Sequence, residues 1–202
     1  MRCHCPLDNH VPRLVAVTGG PGAGKTALLQ LLRSSFCEHV VVVPESATIL
    51  YGGGFPRPIT LEGRGVAQRA IFEVQRQLER FVVAEHRPAI AICDRGTLDG
   101  LAYWPTEDDA FWIEMGTTRE AELARYVAVL HMASPADGEG YSYTNPVRIE
   151  TPEEAHRIDE RLGAIWSRHP RYHRVAARRD FVEKLREAAA WVGDLVPECC
   201  RV

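Results

Sequence analysis

Eight consecutive residues after a short apolar run have the composition of a loop that holds phosphate groups. They are Gly19, Gly20, Pro21, Gly22, Ala23, Gly24, Lys25 and Thr26. They match the pattern G-x-x-x-x-G-K-[ST], in which glycines let backbone N–H groups surround phosphate oxygens and the following helix adds its partial positive charge. Lys25 would reach the β- and γ-phosphates, and the Thr26 hydroxyl would ligate Mg²⁺. This phosphate-binding loop, residues 19–26, therefore predicts binding of ATP with Mg²⁺.

Charged residues also follow the apolar run at residues 89–93, where a strand of a parallel sheet would end. Asp94 comes first, and a carboxylate that faces a phosphate-binding loop from this position commonly anchors Mg²⁺. Arg95 would neutralise phosphate charge, and Asp99 would contact a hydroxyl or an amine of a substrate. The simpler alternatives are that Asp94 starts a turn and that Arg95 and Asp99 are solvated charges.

Glu45 follows another apolar run, the valines at 40–43, with only Pro44 between them. In an open parallel sheet this end of a strand faces the ligand crevice. A carboxylate there suits a general base for an acceptor hydroxyl, or a contact that holds the polar groups of the acceptor. The alternative is that Glu45 caps a helix or is solvated.

Three arginines recur on one stripe of a helix that begins near residue 152, namely Arg157, Arg161 and Arg168. The opposite side of this helix is apolar, so it would pack against the rest of the protein. Arg157 and Arg161 would then close over the nucleotide phosphates as part of a lid. In a protein rich in arginine, the stripe is alternatively an ordinary solvated face.

The order of apolar patterns predicts an α/β protein with strands and helices in alternation. Strands are expected at 14–17, 40–43, 89–93, 126–130 and 171–176, and helices at 25–36, 65–87, 152–169 and from Asp180 onward. We expect a five-stranded parallel sheet between helices, in one domain spanning 13–202. A flexible tail is expected at 1–12, loops at 51–58 and 134–150, and a helical lid around 134–165.

Composition excludes several classes of function. The net charge of −3 and the isoelectric point near 6.2 argue against a surface that binds nucleic acid. No apolar run reaches the roughly 18 residues that span a bilayer. The first residues lack the apolar core of a signal peptide, so a cytoplasmic protein is expected, acting as a monomer or homodimer.

Lysine and cysteine are distributed unevenly along the chain. Only two of the 24 basic residues are lysines, Lys25 and Lys184, and Lys25 is the one that arginine could not replace in a phosphate-binding loop. The six cysteines include pairs near the two ends of the sequence, at 3 and 5 and at 199 and 200. Their spacing differs from common zinc signatures, so we expect reduced thiols and treat a metal site or redox pair as the alternative.

Three segments together resemble a known family. They are residues 19–26, residues 42–48 (Val-Val-Pro-Glu-Ser-Ala-Thr) and residues 93–103 (Cys-Asp-Arg-Gly-Thr-Leu-Asp-Gly-Leu-Ala-Tyr). They resemble small kinase-like P-loop proteins described as "AAA domain" or "ATP/GTP-binding protein", which are similar in turn to nicotinamide riboside kinase, thymidylate kinase and deoxynucleoside kinases. The resemblance covers nearly the whole chain. It implies a P-loop NTPase fold that uses ATP and Mg²⁺, with Asp94 serving the metal, Glu45 facing the acceptor and residues 140–161 forming the lid.

Three functions fit these residues. The first is a small-molecule or nucleoside kinase that transfers the ATP γ-phosphoryl group to an unidentified acceptor near Glu45 and Asp99. In this kinase the aromatic residues of 103–112 would stack on the acceptor or pack in the core. The others are a nucleotide-dependent switch and a slow NTP hydrolase. GTP is less favoured because neither asparagine, Asn9 or Asn145, lies in an Asn-Lys-x-Asp motif.

Overall fold

Strands and helices alternate through the protein in a computed structural model that describes residues 10–135, 151–178 and 180–201. The strands are β1 (Arg13–Thr18), β2 (Val40–Val43), β3 (Ile90–Asp94), β4 (Tyr126–Met132) and β5 (Tyr172–Val175). The helices are α1 (Lys25–Ser35), α2 (Ser46–Gly52), α3 (Leu61–His86), α4 (Asp99–Ala102), α5 (Asp108–Met115), α6 (Arg119–Leu123), α7 (Pro152–Trp166), α8 (Phe181–Leu195) and a 3₁₀ helix (Glu198–Cys200).

The five strands form one sheet in the order β2-β3-β1-β4-β5, and every pairing is parallel. This confirms the predicted α/β fold. The central strand β1 places Val17 beside Asp94 of β3 and Thr18 beside His131 of β4. Strand β3 lies on one side of β1 and β4 on the other. In a parallel sheet a ligand crevice is expected at such a point, beside the carboxyl ends of the strands.

Two apolar cores lie on the two faces of the sheet because successive side chains of a strand point to opposite faces. Val15 and Val17 belong to the core that contains residues of α1 and α8. Ala16, which lies between them, belongs to the core that contains residues of α3, α5 and α7. Burial on both faces explains why the strands read as continuous apolar runs in the sequence.

Four helices begin at side-chain caps, including α6 at Thr118. The hydroxyl of Thr151 accepts from the N–H of Glu154, whose carboxylate accepts in return from the N–H of Thr151, forming the capping box at α7. Asp180 accepts from two N–H groups at the start of α8. Thr60 caps α3, which therefore begins at Leu61 rather than at the predicted residue 65.

Four short helices, α2, α4, α5 and α6, were not predicted, since none is long enough to give a clear helical period. Helix α2 includes Tyr51 and Gly52, so the loop expected at 51–58 begins two residues later than predicted. The predicted loop at 134–150 and the predicted tail at 1–12 lie mostly outside the described residues. Within the described ranges, no helix is long and apolar enough to cross a membrane.

Candidate functional site

The phosphate-binding loop joins β1 to α1 and requires glycine at two positions. Gly19 has φ +139°, and a Cβ there would lie 2.1 Å from the carbonyl oxygen of Met132. Gly24 has φ +92°, and a Cβ there would lie 2.6 Å from the ring of Phe181. Both positions therefore exclude a side chain.

Lys25 is buried at the start of α1 and lies over the loop. Its ammonium donates to the carbonyl oxygens of Gly19 at 2.6 Å and Gly20 at 3.1 Å. Burial, with the charge of Arg95 adding to it, lowers the pKa of Lys25 to about 8. The negative charge of a bound phosphate would favour the ammonium form and give Lys25 a stronger partner than a carbonyl.

A buried carboxylate that the sequence analysis missed holds the first half of the loop. Asp159 of α7 accepts from the N–H of Gly20 at 2.8 Å, and His131 Nε2 and the Ser134 hydroxyl lie 3.1 and 3.3 Å from the same oxygen. Burial acts to raise the pKa of Asp159, but the contacts with His131 and Gly20 bring it below its ordinary value. The sequence feature that could have identified Asp159 is its charge within the otherwise apolar face of α7.

A second missed residue, Lys184 of α8, holds the other half of the loop. Its ammonium donates to the carbonyl oxygens of Ala23 at 2.8 Å and Ala133 at 2.6 Å. Only 3% of Lys184 is exposed, and this burial lowers its pKa to about 8. Both lysines of the chain therefore contact the phosphate-binding loop.

Arg95 connects two carboxylates at the end of β3. Its Nε donates to Glu45 Oε1 at 2.5 Å, and its Nη1 donates to Asp99 Oδ2 at 3.0 Å. Arg95 has φ +73°, a left-handed conformation that costs energy for a residue with a side chain and that occurs often at functional sites. Burial acts to raise the pKa of Glu45, but Arg95 and the Thr48 hydroxyl lower it to about 2.

The carboxylate of Asp99 is occupied by protein donors. Oδ2 accepts from Thr18 at 2.9 Å as well as from Arg95, and Oδ1 accepts from the indole of Trp166 at 2.8 Å. Only 3% of Asp99 is exposed. These contacts hold β1, α7 and Arg95 in place. Asp99 also lines the cavity beside the phosphate-binding loop, so its contact with a substrate stays a prediction.

Asp94 and Thr26 are the residues that could hold a metal ion. Among the described residues, the side chain of Asp94 forms no hydrogen bond or ion pair, although it is largely buried. Burial and the neighbouring Glu45 raise its pKa to about 6. A buried carboxylate without a cationic partner suits Mg²⁺, which takes few protein ligands and completes its shell with water and phosphate oxygens. Thr26, exposed at the start of α1, would supply the hydroxyl.

Many of these residues line one cavity of about 1050 Å³, whereas Asp159 and Lys184 lie outside it. It runs from Lys25 and Thr26 past Asp94, Arg95 and Glu45 to Tyr103 and Trp104. Arg157 and Arg161 line it from α7, whereas Arg168 does not. Its volume slightly exceeds the roughly 300–1,000 Å³ of a typical small-molecule site.

The four aromatic residues of 103–112 divide between cavity and core. Tyr103 and Trp104 line the cavity. Phe111 is fully buried and packs edge-to-face on Trp104 and Trp112, with ring centroids 5.3 and 5.0 Å apart. Only the first two are therefore placed to meet a ligand.

Helix α7 is anchored over the cavity by its inner face. Leu162 and Trp166 are fully buried in the core, and Asp159 contacts the phosphate-binding loop. Arg157 and Arg161 are exposed where they line the cavity, with Arg161 3.3 Å from Asp108 of α5. The lid therefore stays a prediction. Because Asp159 anchors the helix, we expect movement in residues 151–158 rather than along the whole of α7. Residues 136–150 of the expected lid lie outside the described residues.

The glycine loop between a central parallel strand and a helix, with Lys25 and Thr26 at the helix start, defines a P-loop NTPase domain. The sequence profile of the AAA domain matches residues 14–184. This range contains all five strands except the first residue of β1, and the whole candidate site. The chain belongs to this family. No curated protein sequence matches it.

Proposed function

We propose that this protein is an ATP- and Mg²⁺-dependent phosphotransferase that acts on a small polar acceptor. The observation that carries the proposal is the cavity, which continues beyond the phosphate-binding loop to Glu45, Tyr103 and Trp104. A nucleotide hydrolase needs only space for a water molecule beside the γ-phosphate. Room for a second small molecule favours group transfer.

Six residues would act on the nucleotide. Lys25 and Arg95 would balance the negative charge of the phosphates during transfer, and Asp94 with Thr26 would hold Mg²⁺, which would supply further positive charge when bound. Arg157 and Arg161 would add positive charge from α7. Catalysis in such a site comes mainly from positioning and electrostatic stabilisation.

Glu45 would position the acceptor. With a pKa of about 2 it is a carboxylate at pH 7, but a weak base. Its charge can accept a hydrogen bond from an acceptor hydroxyl and align the oxygen with the γ-phosphate. Phosphoryl transfer passes through a loose transition state, so this alignment matters more than early removal of the proton.

The far end of the cavity favours an acceptor that forms hydrogen bonds. Trp104 Nε1 and Gln75 Oε1 are buried and lack hydrogen-bond partners among the described residues. Both residues line the cavity. A buried polar atom without a partner is costly, so a ligand that supplies one acceptor and one donor would be bound more tightly than an apolar one.

The test measures ATP turnover with and without a panel of nucleosides and related metabolites. Stimulation by one compound, with its phosphorylated product identified by mass spectrometry, supports a kinase. Glu45→Gln is expected to lower phosphorylation of that compound by about 10²-fold while ATP affinity changes only a few fold. Glu73→Gln, at an exposed position of α3 outside the cavity, is the matched control and should behave as the wild type.

A slow turnover that no compound stimulates contradicts the kinase and favours a nucleotide-dependent switch or hydrolase. Equal loss of ATP affinity and turnover in Glu45→Gln would instead place Glu45 in the nucleotide site. We also propose a cytoplasmic location: among the described residues, Cys37, Cys93 and Cys200 are buried and form no disulfide, as is usual in reducing compartments.

A further inference from the structure

Two histidines and three cysteines come together at the edge of the sheet where the strands begin. One group consists of Cys37, His39 and Cys200, and its three ligand atoms lie within 4.8 Å of one another. A second group, His10, Cys199 and Cys200, meets the same condition. The cluster joins three distant parts of the sequence, and Cys200 belongs to both groups.

Backbone contacts fix the positions of these residues. The carbonyl oxygen of Cys37 accepts from the N–H of Val40, and the carbonyl oxygen of His39 accepts from the N–H groups of Ala89 and Ile90. Cys200 ends the 3₁₀ helix, and the next residue forms a β-bridge with Phe36 at the end of α1. Cys37 and Cys200 are 2% and 0% exposed.

The distances around Cys200 match those between ligands of one tetrahedral zinc ion. With Zn–S near 2.3 Å and Zn–N near 2.0–2.1 Å, tetrahedral geometry separates two sulfurs by about 3.8 Å and a sulfur from a nitrogen by about 3.6 Å. Cys200 Sγ lies 3.5 Å from His10 Nε2 and 3.9 Å from His39 Nδ1. Each histidine therefore already lies near the separation from Cys200 that two ligands of one ion require.

We propose that Cys37, His39, Cys200 and His10 bind one Zn²⁺ ion in a structural site. Two thiolates and two imidazoles form a common closed zinc set. The ion would connect the 3₁₀ helix and the segment that precedes β1 to the turn between α1 and β2. Cys199 is left out because it is exposed, whereas structural zinc ligands lie in shielded sites.

This site is separate from the proposed phosphotransfer. Helix α1 begins at the phosphate-binding loop and ends two residues before Cys37, so its 11 residues place about 16 Å between the two regions. Zinc binding can therefore fail while nucleotide binding stands, and the reverse also holds.

The experiment titrates the metal-free full-length protein with Zn²⁺, in a reductant that keeps thiols reduced, and measures stoichiometry and affinity. We expect one Zn²⁺ per chain, and Co²⁺ in its place should show the visible absorption of tetrahedral thiolate coordination. Cys37→Ser and Cys200→Ser should each weaken Zn²⁺ binding at least about 100-fold, since loss of a direct ligand exceeds the usual effect of an outer-shell change. His39→Gln provides a milder change at a half-buried position if a cysteine variant fails to fold.

Two controls separate this site from other thiols. Cys93→Ala removes a buried cysteine of β3 far from the cluster and should leave Zn²⁺ affinity unchanged. Cys199→Ser should change it less than threefold, whereas His10→Gln should lower it about as much as His39→Gln. Zinc that stays bound in the Cys37, His39 and Cys200 variants, no zinc binding at all, or a Cys37–Cys200 disulfide in the purified protein overturns the proposal.

Discussion

Replacing Asp94 by Asn should make the protein more stable at pH 7 and at the same time weaken its Mg²⁺-dependent binding of ATP. The substitution keeps the size of the side chain but removes its charge. Among the described residues, Asp94 has no ion-pair partner, and burial is the main cause of its raised pKa. The carboxylate therefore costs stability in the protein without ligands, and Mg²⁺ would supply the missing positive charge.

The size of the effect follows from the pKa, which rises from 3.8 to about 6. A rise of this size corresponds to roughly 3 kcal/mol of folding free energy once the carboxyl group is ionised. An amide in the same position also pays for its burial, by about 1–2 kcal/mol. Asp94→Asn should therefore gain about 1–2 kcal/mol, which raises the melting temperature by about 2–8 °C for a protein of this size.

The gain should depend on pH in one direction. Because the folded protein binds the proton of Asp94 more tightly than the unfolded chain, this stabilising contribution is complete below pH 3.8 and is lost as pH rises through about 6. The amide has no proton to lose. The variant should thus be about 1–2 kcal/mol less stable than the wild type near pH 4, where only the cost of burying the amide counts, and more stable than the wild type above pH 6.

Urea unfolding, followed by tryptophan fluorescence between pH 4 and 7.5 without nucleotide or metal, measures the stability difference. ATP affinity is then measured with and without Mg²⁺, and the variant should lose affinity mainly with Mg²⁺. Asp194→Asn, at an exposed position of α8, is the control and should show neither effect. A variant less stable than the wild type at pH 7, or an equal loss of affinity with and without Mg²⁺, would refute this account of Asp94.

Three further substitutions test the loop and the helix above it. Lys25→Ala should lower ATP affinity ten- to 100-fold in calorimetric titration without unfolding the protein, since a charge-assisted phosphate contact contributes about 1.5–3 kcal/mol. Lys25→Arg should lower ATP affinity similarly. Wild-type affinity in either variant contradicts the assignment of Lys25 to the phosphates. Lys184→Met should lower ATP affinity about tenfold, because the carbonyl of Ala23 loses its buried donor; unchanged affinity removes Lys184 from the site. Arg161→Ala should slow ATP turnover with little change in melting temperature. In the wild type, ATP should slow hydrogen exchange in residues 151–158. Exchange that ATP does not alter contradicts the proposed lid.

The parts of the fold and site that depend on residues close together in the sequence could be predicted from the sequence alone. The loop at 19–26 is contiguous, and its pattern fixes both its shape and its place between a strand and a helix. The buried strands could be predicted because both faces of a covered parallel sheet are apolar. The capping box at Thr151 likewise involves residues three positions apart.

The missed residues depend on contacts between distant parts of the chain. Asp159 and Lys184 reach the loop only because α7 and α8 pack beside it, and no local pattern specifies that distance. Asp99 was assigned to a substrate because an acidic residue near a strand end is often exposed to ligand. Its partners Thr18 and Trp166 are 81 and 67 residues away, so its occupied state could not be inferred from spacing.

The two lysines give the protein an unusual reactivity, because the other 22 of its 24 lysine and arginine side chains are arginines, which do not react with amine reagents. Lys25 and Lys184 are 9% and 3% exposed, and burial lowers the pKa of each to about 8. At mildly alkaline pH both amines are largely neutral and nucleophilic but shielded, and ATP would cover Lys25 further. Acylation of lysine by an activated ester, read by peptide mass spectrometry, would thus report occupancy of the nucleotide site without any engineered label.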